Sequence, residues 1–446
     1  MTKQTTNQTA FAIDDNGRGI VRIGDKTVFV DNLLTGEEGQ ITTTYKFGKL
    51  KYAKLDTRLS NSPDRVKPNC PYYYSCGGCN LMHLAYPKQL EYKQQKVQNL
   101  LHKFAHIDME VNPTVGMNNP YHFRNKIQVP IRMNSDGKII SGFFKQKSHD
   151  IIEIDECLIE SKKARHILES IKRNMAKLEI LPYDEISHSG IIRHAVIKTS
   201  LNFKQVMLVI VTTQKDFPNK QEFVNNVYEE CTEINTFIQN VNPKVTNVIL
   251  GDEEEVLIGR GKIQDSILGM NFLISSRSFY QTNPVQTEKL YELAINAAKL
   301  DGTQTVLDAY SGIGTIGLCA SSKAKSVTCV EIVDSAVQDA ESNAELNDVR
   351  NVEFIKEDCT KFILENKVKY DVVFLDPPRK GSTPDFLNAL VSIKPNRIVY
   401  ISCSPVTLSR DLTYLKDTYN VESVTPVDMF PHSAHVECVV SLGLKK

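Results

Sequence analysis

The chain has 446 residues, with 53 basic and 53 acidic side chains. This length exceeds one ordinary hydrophobic core and predicts two or three domains, while the neutral balance disfavours a protein that coats nucleic acid indiscriminately. No apolar run is long enough to cross a bilayer, and the first residues lack the apolar core of a signal peptide. We therefore expect a cytoplasmic protein without a membrane partner.

Residues 1–60 predict a small β-barrel, because short alternating runs such as Thr27–Asp31 and Gln40–Tyr45 are separated by turn signals. One segment, Tyr45–Lys54, is basic with interleaved aromatic residues, and the basic character continues at Arg58, Arg65 and Lys67. This mixture suits contact with a phosphate backbone and exposed bases. Taken alone, the segment is explained equally well as the solvated face of a small β-domain.

Four of the ten cysteines are placed unusually, with the spacing Cys70-x5-Cys76-Gly-Gly-Cys79 and a fourth, Cys157, far downstream. Four thiolates can hold a [4Fe–4S] cluster or a structural zinc ion. Zinc knuckles tend to use paired Cys-x2-Cys units, and here a single pair is joined by one near and one remote cysteine. The spacing slightly favours the cluster but does not separate the two. His83 is a further possible ligand, although packing explains it better.

Residues 61–270 predict a central α+β domain that contains this cysteine cluster. A helix is expected from Pro87 to about Phe104, and its position in the chain allows it to pack on the catalytic domain. Antiparallel strands and a helix around residues 160–178 follow. The β-type runs are Lys126–Ile131, Ile191–Thr199 and Gln205–Thr212.

Residues 271–446 show a regular alternation of strands and helices, which predicts a Rossmann-like, mostly parallel sheet covered on both faces. The last two predicted strands have no helix-length link between them, so an antiparallel pair is expected at the end of the sheet. The expected strands are Thr305–Ala309, Ser326–Glu331, Val352–Ile355, Asp371–Leu375, Arg397–Ile401, Val421–Val427 and Val436–Leu442.

A nucleoside site is predicted at the turn after the first of these strands, where Gly312 and Gly314 permit a tight turn and a close approach to a ligand. Glu331, at the end of the next strand, holds the position of a ribose-binding carboxylate, and Asp358 would lie near the base. A Gly-x-Gly turn alone is a weak signal, and a Gly-rich turn with a solvated glutamate is the alternative. Because no lysine-bearing phosphate loop is present, S-adenosylmethionine fits better than a nucleoside triphosphate.

The predicted reacting centre combines the segment Asp376–Arg379 (Asp-Pro-Pro-Arg), at the end of the fourth strand, with Cys403 at the end of the fifth. Methylation of a nitrogen needs no thiol, whereas C5 of uracil must be activated by a thiolate that adds to C6. A general base must then remove the C5 proton, and Glu437 is the candidate. We expect the pKa of Cys403 to be lowered by Arg379 or by a helix N-terminus. Most isolated cysteines are instead buried apolar residues.

At these residues the chain resembles the RNA uracil-5-methyltransferase family, in particular the iron–sulfur branch that modifies 23S ribosomal RNA. The resemblance implies that Cys403 is the nucleophile and that Glu437 abstracts the proton. It implies methyl-donor contacts from Gln281, Tyr310, Glu331 and Asp376, with Asp358 near the adenine. The family more often has Cys and Asn where this chain has Ser311 and Ser404. The motifs that carry the resemblance are Phe279–Asn283, Asp308–Gly312, Asp376–Arg379, Ser402–Pro405 and His435–Glu437.

The resemblance also implies a TRAM-like RNA-binding barrel at the N-terminus and a [4Fe–4S] cluster, with a structural role, on Cys70, Cys76, Cys79 and Cys157. The partner is RNA, whose target base must be flipped out of any stack, and the enzyme is expected to be a monomer. The alternatives are a tRNA uridine methyltransferase, a C5-cytosine RNA methyltransferase and a non-catalytic RNA-binding or assembly factor. Further contacts are expected from Tyr121, Arg124, Lys126, Phe143, Phe144, Lys145 and Lys147.

Overall fold

The computed structural model describes residues 5–47, 50–145, 148, 150–366 and 368–446. It shows a mixed α/β protein built on three large sheets and one hairpin. Gly48, Lys49 and Lys147, which belong to the predicted RNA-contact segments, lie outside the described residues, as do the side chains at positions 45–47 and 50. Among the helices that are described, none is both long and apolar enough to cross a membrane.

The N-terminal sheet has six strands in the order β1-β5-β6-β4-β3-β2. Its pairs are antiparallel except for β4 with β6. Alternation of apolar and polar residues places Val21, Val28 and Ile41 on a common buried side. The strands are β1 (Thr5–Thr9), β2 (Ala12–Ile13), β3 (Gly19–Ile23), β4 (Lys26–Val30), β5 (Glu38–Phe47) and β6 (Leu50–Arg58).

Helix α1 (Tyr86–Leu100) follows the cysteine-rich segment and continues into a single π-helical turn, Leu101–Ala105. A proline at the start of α1 suits this position, because the first amides of a helix have no intrahelical acceptor. Val97 and Leu101 are fully buried in the same apolar cluster as Leu307 and Tyr400 of the C-terminal sheet. The helix therefore packs on the C-terminal sheet, whose strands follow much later in the chain.

The central sheet has seven strands in the order β13-β12-β11-β10-β7-β8-β9. It is antiparallel apart from the parallel pair β11–β12, which the sequence did not predict. Helices α2 (Lys163–Lys177) and α3 (Lys220–Glu230) supply apolar side chains to its core. The strands are β7 (Lys126–Met133), β8 (Ile139–Phe144), β9 (Ile151–Glu153), β10 (Ile192–Thr199), β11 (Val206–Thr212), β12 (Thr236–Val241) and β13 (Glu253–Ile258).

A hairpin of β14 (Lys262–Ile267) and β15 (Met270–Ser275) leads from the central sheet to the C-terminal sheet. Ile263 and Phe272 of this hairpin are buried in the same cluster as Val209 of the central sheet and Leu290 of the C-terminal part. One continuous apolar core thus joins the central sheet and the C-terminal sheet.

The C-terminal sheet has the order β18-β17-β16-β19-β20-β22-β21, in which β16 to β20 are parallel and β22 is antiparallel to both of its neighbours. This confirms the predicted parallel sheet and its antiparallel end. The strands are β16 (Thr305–Ala309), β17 (Ser326–Glu331), β18 (Val352–Lys356), β19 (Val372–Leu375), β20 (Arg397–Ser402), β21 (Tyr419–Val427) and β22 (Glu437–Leu444). The helices are α4 (Pro284–Ala298), α5 (Thr315–Ser321), α6 (Asp334–Leu346), α7 (Cys359–Asn366), α8 (Pro384–Ile393) and α9 (Pro405–Leu415).

Candidate active site

Strand register brings the predicted reacting groups to one edge of the C-terminal sheet. The order of the strands reverses between β16 and β19, and ligands of open α/β sheets bind beyond the strand ends at such a point. Asp376 follows β19 at this point. On the neighbouring strands Ser402 pairs with Cys438. Cys403 and Glu437, the next residues outward, therefore lie side by side beyond the last pair.

The turn after β16 has the backbone shape of a ligand-binding turn. Tyr310, Gly312 and Gly314 all have positive φ angles, of 65°, 56° and 78°. For glycine this conformation has no steric cost, but for a tyrosine it is strained and persists only where the surroundings impose it. A side chain built at Gly312 would meet no atom within 4 Å, so the space above this turn is open.

Glu331 lies beside this turn, where its two carboxylate oxygens accept hydrogen bonds from the backbone amides of Gly312 (3.0 Å) and Val333 (2.9 Å). Asp358 is exposed, and its carboxylate accepts from the amides of Thr360 and Lys361 at the start of α7. The structure thus places both residues at the end of the strands next to the glycine turn. Asp358 also serves as a local cap for its own helix.

Gln281 lies in the loop between β15 and α4, and this loop reaches the segment after β21 through Asn283, whose side-chain amide donates to the carbonyl of Met429 (3.0 Å). The carbonyl oxygen of Gln281 accepts from the side-chain amide of Asn125 (3.0 Å), and the carbonyl of Thr282 accepts from the backbone amide of Asn125. Asn283 then caps α4 by accepting from the amide of Gln286. Lys198, buried in the central sheet, donates to the carbonyls of Ser275 and Ser278 just before this loop. Residues of the central sheet therefore hold the loop that carries Gln281.

The carboxyl groups of the site are held in a poorly solvated cleft. Burial raises the pKa of Asp376 to about 7. Burial, with a further contribution from Asp376, raises the pKa of Glu437 to about 8, while Arg379 opposes the shift. A carboxyl group with a pKa near neutrality can accept and release a proton under physiological conditions.

The electrostatics of Cys403 differ from the sequence-based prediction of a lowered pKa. Burial, Glu437 and Asp376 all raise the pKa of this thiol, and Arg379 lowers it only in part. The thiol does stand at the start of α9, since the next residue, Ser404, caps this helix by accepting from the amide of Thr407. The prediction was wrong because the thiol is partly buried and because two carboxyl groups from separate strands also act on it, neither of which the local sequence shows.

Asp308 is a residue of the site that the sequence analysis did not single out. It is fully buried at the end of β16, where its Oδ2 accepts from the amide of Gly317 (2.8 Å) and its Oδ1 has no partner. Burial, opposed by this hydrogen bond and helped by Asp376 and Glu331, raises its pKa to about 7. Its position, one residue before the end of a strand that leads into a Gly-rich turn, is the signal that was available.

The four cysteines of the predicted metal site converge from separate parts of the chain. Cys76 and Cys70 contribute to a pKa of about 12 at Cys79, after the larger effect of burial, and Cys79 in turn acts on Cys157. Cys79 and Cys157 both pack against the apolar cluster of Met117, Phe123 and Ile159. Tyr72 donates to the carboxylate of Asp155 (2.8 Å), which ties the cysteine-rich loop to the segment of Cys157.

The donor set of this site is four thiols, which suits either an iron–sulfur cluster or a structural zinc ion. His83 is buried and bonded to the hydroxyl of Tyr73.

Another set of potential ligands, His166, Cys231 and Glu233, lies on the central domain, with its ligand atoms all within 4.8 Å of one another. The imidazole Nδ1 of His166 is 3.1 Å from the carboxylate of Glu233, so these two groups already satisfy each other. Cys231 is buried in the core beneath α2 and α3.

Arg65, a residue of the predicted RNA-binding face, has a structural partner. The guanidinium of Arg65 forms an ion pair with the buried carboxylate of Glu37 and donates to the carbonyl of Asn32 (2.9 Å). Arg65 therefore joins the N-terminal sheet to the segment that follows it, and its prediction as a phosphate contact was wrong. Lys54 and Lys67 are exposed.

Comparison with known proteins supports the chemistry of this cleft. Residues 85–445 match the family model described as tRNA (Uracil-5-)-methyltransferase. The chain belongs to this family. RNA methyltransferases of Halalkalibacterium halodurans and Staphylococcus aureus, both described as uncharacterized, are 41% and 40% identical over 96% and 98% of this chain and 95% and 97% of their own lengths.

The fold also matches a solved member of the same chemistry, the Pyrococcus abyssi tRNA (uracil-54, C5)-methyltransferase in complex with S-adenosyl-L-homocysteine. The TM-score is 0.81 at 27% identity, and the match covers 98% of this chain and 99% of the other. The chain is thus an RNA methyltransferase of the uracil-5 family, with the methyltransferase fold and a cleft suited to S-adenosylmethionine.

Proposed function

We propose that this protein methylates C5 of uridine in RNA, with Cys403 as the nucleophile and Glu437 as the general base. The observation that carries this proposal is the register of β20 and β22, which puts a thiol and a carboxyl group side by side at the strand edge beside Asp376. A nitrogen methyltransferase has no use for such a thiol, because its target already has a lone pair.

In this proposal the methyl donor occupies the open space above the turn of Gly312. Glu331 is placed to accept from the ribose hydroxyls, Tyr310 and Asp358 flank the nucleoside, and Gln281 and Asp376 border the reacting end. When bound, S-adenosylmethionine supplies an electrophilic methyl group on a sulfonium ion. In the same proposal, Asp376 and Gln281 also hold the polar edge of the uracil ring.

The proposed reaction uses each charged group once. The thiol of Cys403 gives its proton to solvent and its sulfur bonds to C6, so that the electrons of the C5–C6 double bond move toward the C4 carbonyl as an enolate. C5 then takes the methyl group and the sulfonium becomes a neutral thioether. The carboxylate of Glu437 removes the C5 proton, the double bond re-forms, and the C6–S bond breaks to return the thiolate.

RNA that contains 5-fluorouridine tests this proposal, because fluorine cannot leave C5 as a cation and the adduct persists. With S-adenosylmethionine present, the wild-type protein should form a covalent complex that survives denaturing electrophoresis. Cys403→Ala should form none, and Cys438→Ala, which removes a buried neighbouring thiol, is the matched control. Equal adduct yield from the Cys403 variant, or turnover without any adduct, would refute the covalent mechanism.

For the RNA substrate we propose 23S ribosomal RNA, in line with the resemblance of the cysteine-bearing chain to the ribosomal branch. Transfer RNA is the second candidate, and it is favoured by the Pyrococcus abyssi enzyme, whose substrate is a tRNA uridine. Mapping of 5-methyluridine across total RNA, with and without the gene, distinguishes the two. Loss of the modification from tRNA alone would exclude the ribosomal assignment.

We further propose that Cys70, Cys76, Cys79 and Cys157 hold a [4Fe–4S] cluster with a structural role. The convergence of these four thiols from two segments and the resemblance to the cluster-bearing branch support this choice. The N-terminal six-stranded sheet is proposed as a TRAM-like RNA-binding domain, with exposed Lys54 and Lys67 among its contacts. The proposed enzyme acts in the cytoplasm as a monomer.

A further inference from the structure

The loop that leads to Glu437 is held by a part of the chain that lies more than 300 residues away. This loop, residues 428–436, connects β21 to β22 and is referred to below as the base loop. Its first residue, Asp428, forms a fully buried ion pair with Lys93 of α1 and accepts from the hydroxyl of Tyr86 (2.8 Å). Lys93 also donates to the carbonyl of Phe430 (3.1 Å).

The middle of the base loop is held at His432, which has a φ of 65°. This left-handed conformation is unfavourable for a residue with a side chain and persists only under restraint. Hydrogen bonds to both backbone polar groups of His432 supply the restraint. Its amide donates to the side chain of Gln89 (3.0 Å), and its carbonyl accepts from the amides of Asn80 and Leu81 (3.0 and 2.9 Å). The His432 ring is buried against Tyr121.

The end of the base loop is held by Asn80. The side-chain oxygen of Asn80 accepts from the amide of Ala434 (2.8 Å), three residues before Glu437. The side-chain nitrogen donates to the carbonyl of Asn16 (2.7 Å), in the turn between β2 and β3 of the N-terminal sheet. The side chain of Asn80 thus joins the base loop to the N-terminal sheet. The backbone of Asn80 directly follows Cys79 in the chain.

We propose that Asn80 is a positioning residue for the proton-abstraction step, and that it makes the placement of Glu437 depend on the order of the neighbouring cysteine-rich loop. This inference rests on the proposed function of Glu437 as the base. Lys96 of α1 also holds Ala434, by donating to its carbonyl (2.8 Å), so loss of the Asn80 contact frees the amide side of this residue, three residues before Glu437. Nothing in the C-terminal sheet replaces the bond of Ala434 to Asn80 among the described contacts.

The inference distinguishes early from late steps of the reaction. Cys403 is held by β20 and α9, so loss of the Asn80 contact should leave adduct formation intact. Proton removal should become slow, because a misplacement of about 1 Å in a catalytic group can cost about a hundredfold in rate. The expected result is a fall in kcat of about ten- to a hundredfold, little change in KM, and accumulation of the methylated covalent complex on unmodified RNA.

Three variants test this proposal in the full-length protein. Asn80→Ala removes both side-chain bonds, and Asn80→Asp retains an acceptor for the amide of Ala434 while it loses the donor to Asn16. Asn112→Ala is the matched control, because Asn112 also makes one side-chain bond to the C-terminal sheet, to Thr425 of β21 (2.8 Å), but does not touch the base loop. We expect the stalled complex with Asn80→Ala and near wild-type turnover with the other two.

Hydrogen exchange supplies a readout that does not depend on activity. The amide of Ala434 should exchange faster in Asn80→Ala than in Asn80→Asp or Asn112→Ala. Cys79→Ser, which disturbs the cysteine-rich loop, should accelerate exchange across the base loop in the same way. Unchanged exchange in Cys79→Ser would overturn the dependence on that loop, and a kcat for Asn80→Ala equal to that of Asn112→Ala would overturn the positioning role.

These outcomes are separable from a failure of the proposed function. If the wild-type protein forms no adduct with 5-fluorouridine RNA, the covalent mechanism itself is wrong. If the wild-type protein forms the adduct and Glu437→Gln stalls on unmodified RNA, but Asn80→Ala turns over like the control, only the present inference fails.

Discussion

At the scale of single residues, the cleft disfavours negative charge on its carboxyl and thiol groups. Glu437, Asp376 and Asp308 all have raised pKa values, of about 8, 7 and 7, because each is removed from water. Burial and, after it, the carboxylates of Glu437 and Asp376 raise the pKa of Cys403. Formation of the thiolate and of the Glu437 carboxylate therefore compete.

This competition predicts a pH dependence. Because both the thiolate and the Glu437 carboxylate are required in deprotonated form, methylation should become faster as the pH rises from about 7 toward 9. Initial rates at saturating donor and RNA, measured across this range, test the expectation. A rate that is already constant below pH 7 would show that the carboxyl group is not perturbed in the working enzyme.

Glu437→Gln should remove the base and retain the nucleophile. We expect it to form the covalent complex with unmodified RNA and to release product slowly, by about a hundredfold or more, so that denaturing gels show trapped species. Normal turnover would make another group the base.

The same variant has an expected effect on stability. The pKa of Glu437 is raised on folding, so the folded state loses stability as the pH rises from the unfolded value of about 4.5 to about 8. A difference of one between the folded and unfolded pKa values corresponds to about 1.4 kcal/mol. Glu437→Gln cannot ionise, and its free energy of unfolding should exceed that of the wild type at pH 8 to 9 but not at pH 5. Thermal denaturation at the two pH values measures this difference.

At the scale of elements, helix α1 is a part of the N-terminal half that packs into the core of the C-terminal sheet. One buried face of this helix carries both Val97, which enters the core of the C-terminal sheet, and Lys93, one turn earlier, which reaches Asp428. Both members of this ion pair are completely buried. A buried pair contributes little compared with apolar packing, but removal of one member leaves an uncompensated charge.

This arrangement predicts strong coupling between the two residues. Lys93→Met should lower the free energy of unfolding by about 3–5 kcal/mol, because the carboxylate of Asp428 would remain buried without its cation. The double variant Lys93→Met, Asp428→Leu should recover much of this loss. Chemical denaturation of the two single variants and the double variant gives the interaction energy. Additive effects would show that the charges are solvated in both variants.

At the scale of the whole molecule, segments outside the C-terminal sheet hold two of the loops beside the candidate active site. The loop with Gln281 is held by the central sheet through Asn125, and the base loop is held by the cysteine-rich segment and α1. The proposed steps of donor binding and proton removal therefore both depend on contacts made outside the C-terminal sheet.

The metal centre is the prediction that belongs to this scale. Protein purified without oxygen should contain about four iron and four sulfide ions per chain if Cys70, Cys76, Cys79 and Cys157 bind a [4Fe–4S] cluster, and should show a broad visible absorption. Cys79→Ser should lose the iron, while Cys231→Ser, in the core of the central domain, should retain it. A colourless protein with one zinc ion would refute the cluster.

The sequence alone was sufficient for the strands of the C-terminal sheet, the antiparallel end and helix α1, because periodicity, prolines and turn residues are local signals. It also proposed Cys403 and Glu437, since each stands at the tip of an apolar strand; the strand register brings the two together, and their roles stay predictions. Contacts between distant segments were invisible to it, and these decided the raised pKa of Cys403, the role of Arg65 in an ion pair and the buried carboxylate of Asp308. Burial and the approach of charges depend on the whole arrangement of the chain, so only the tertiary structure determines them.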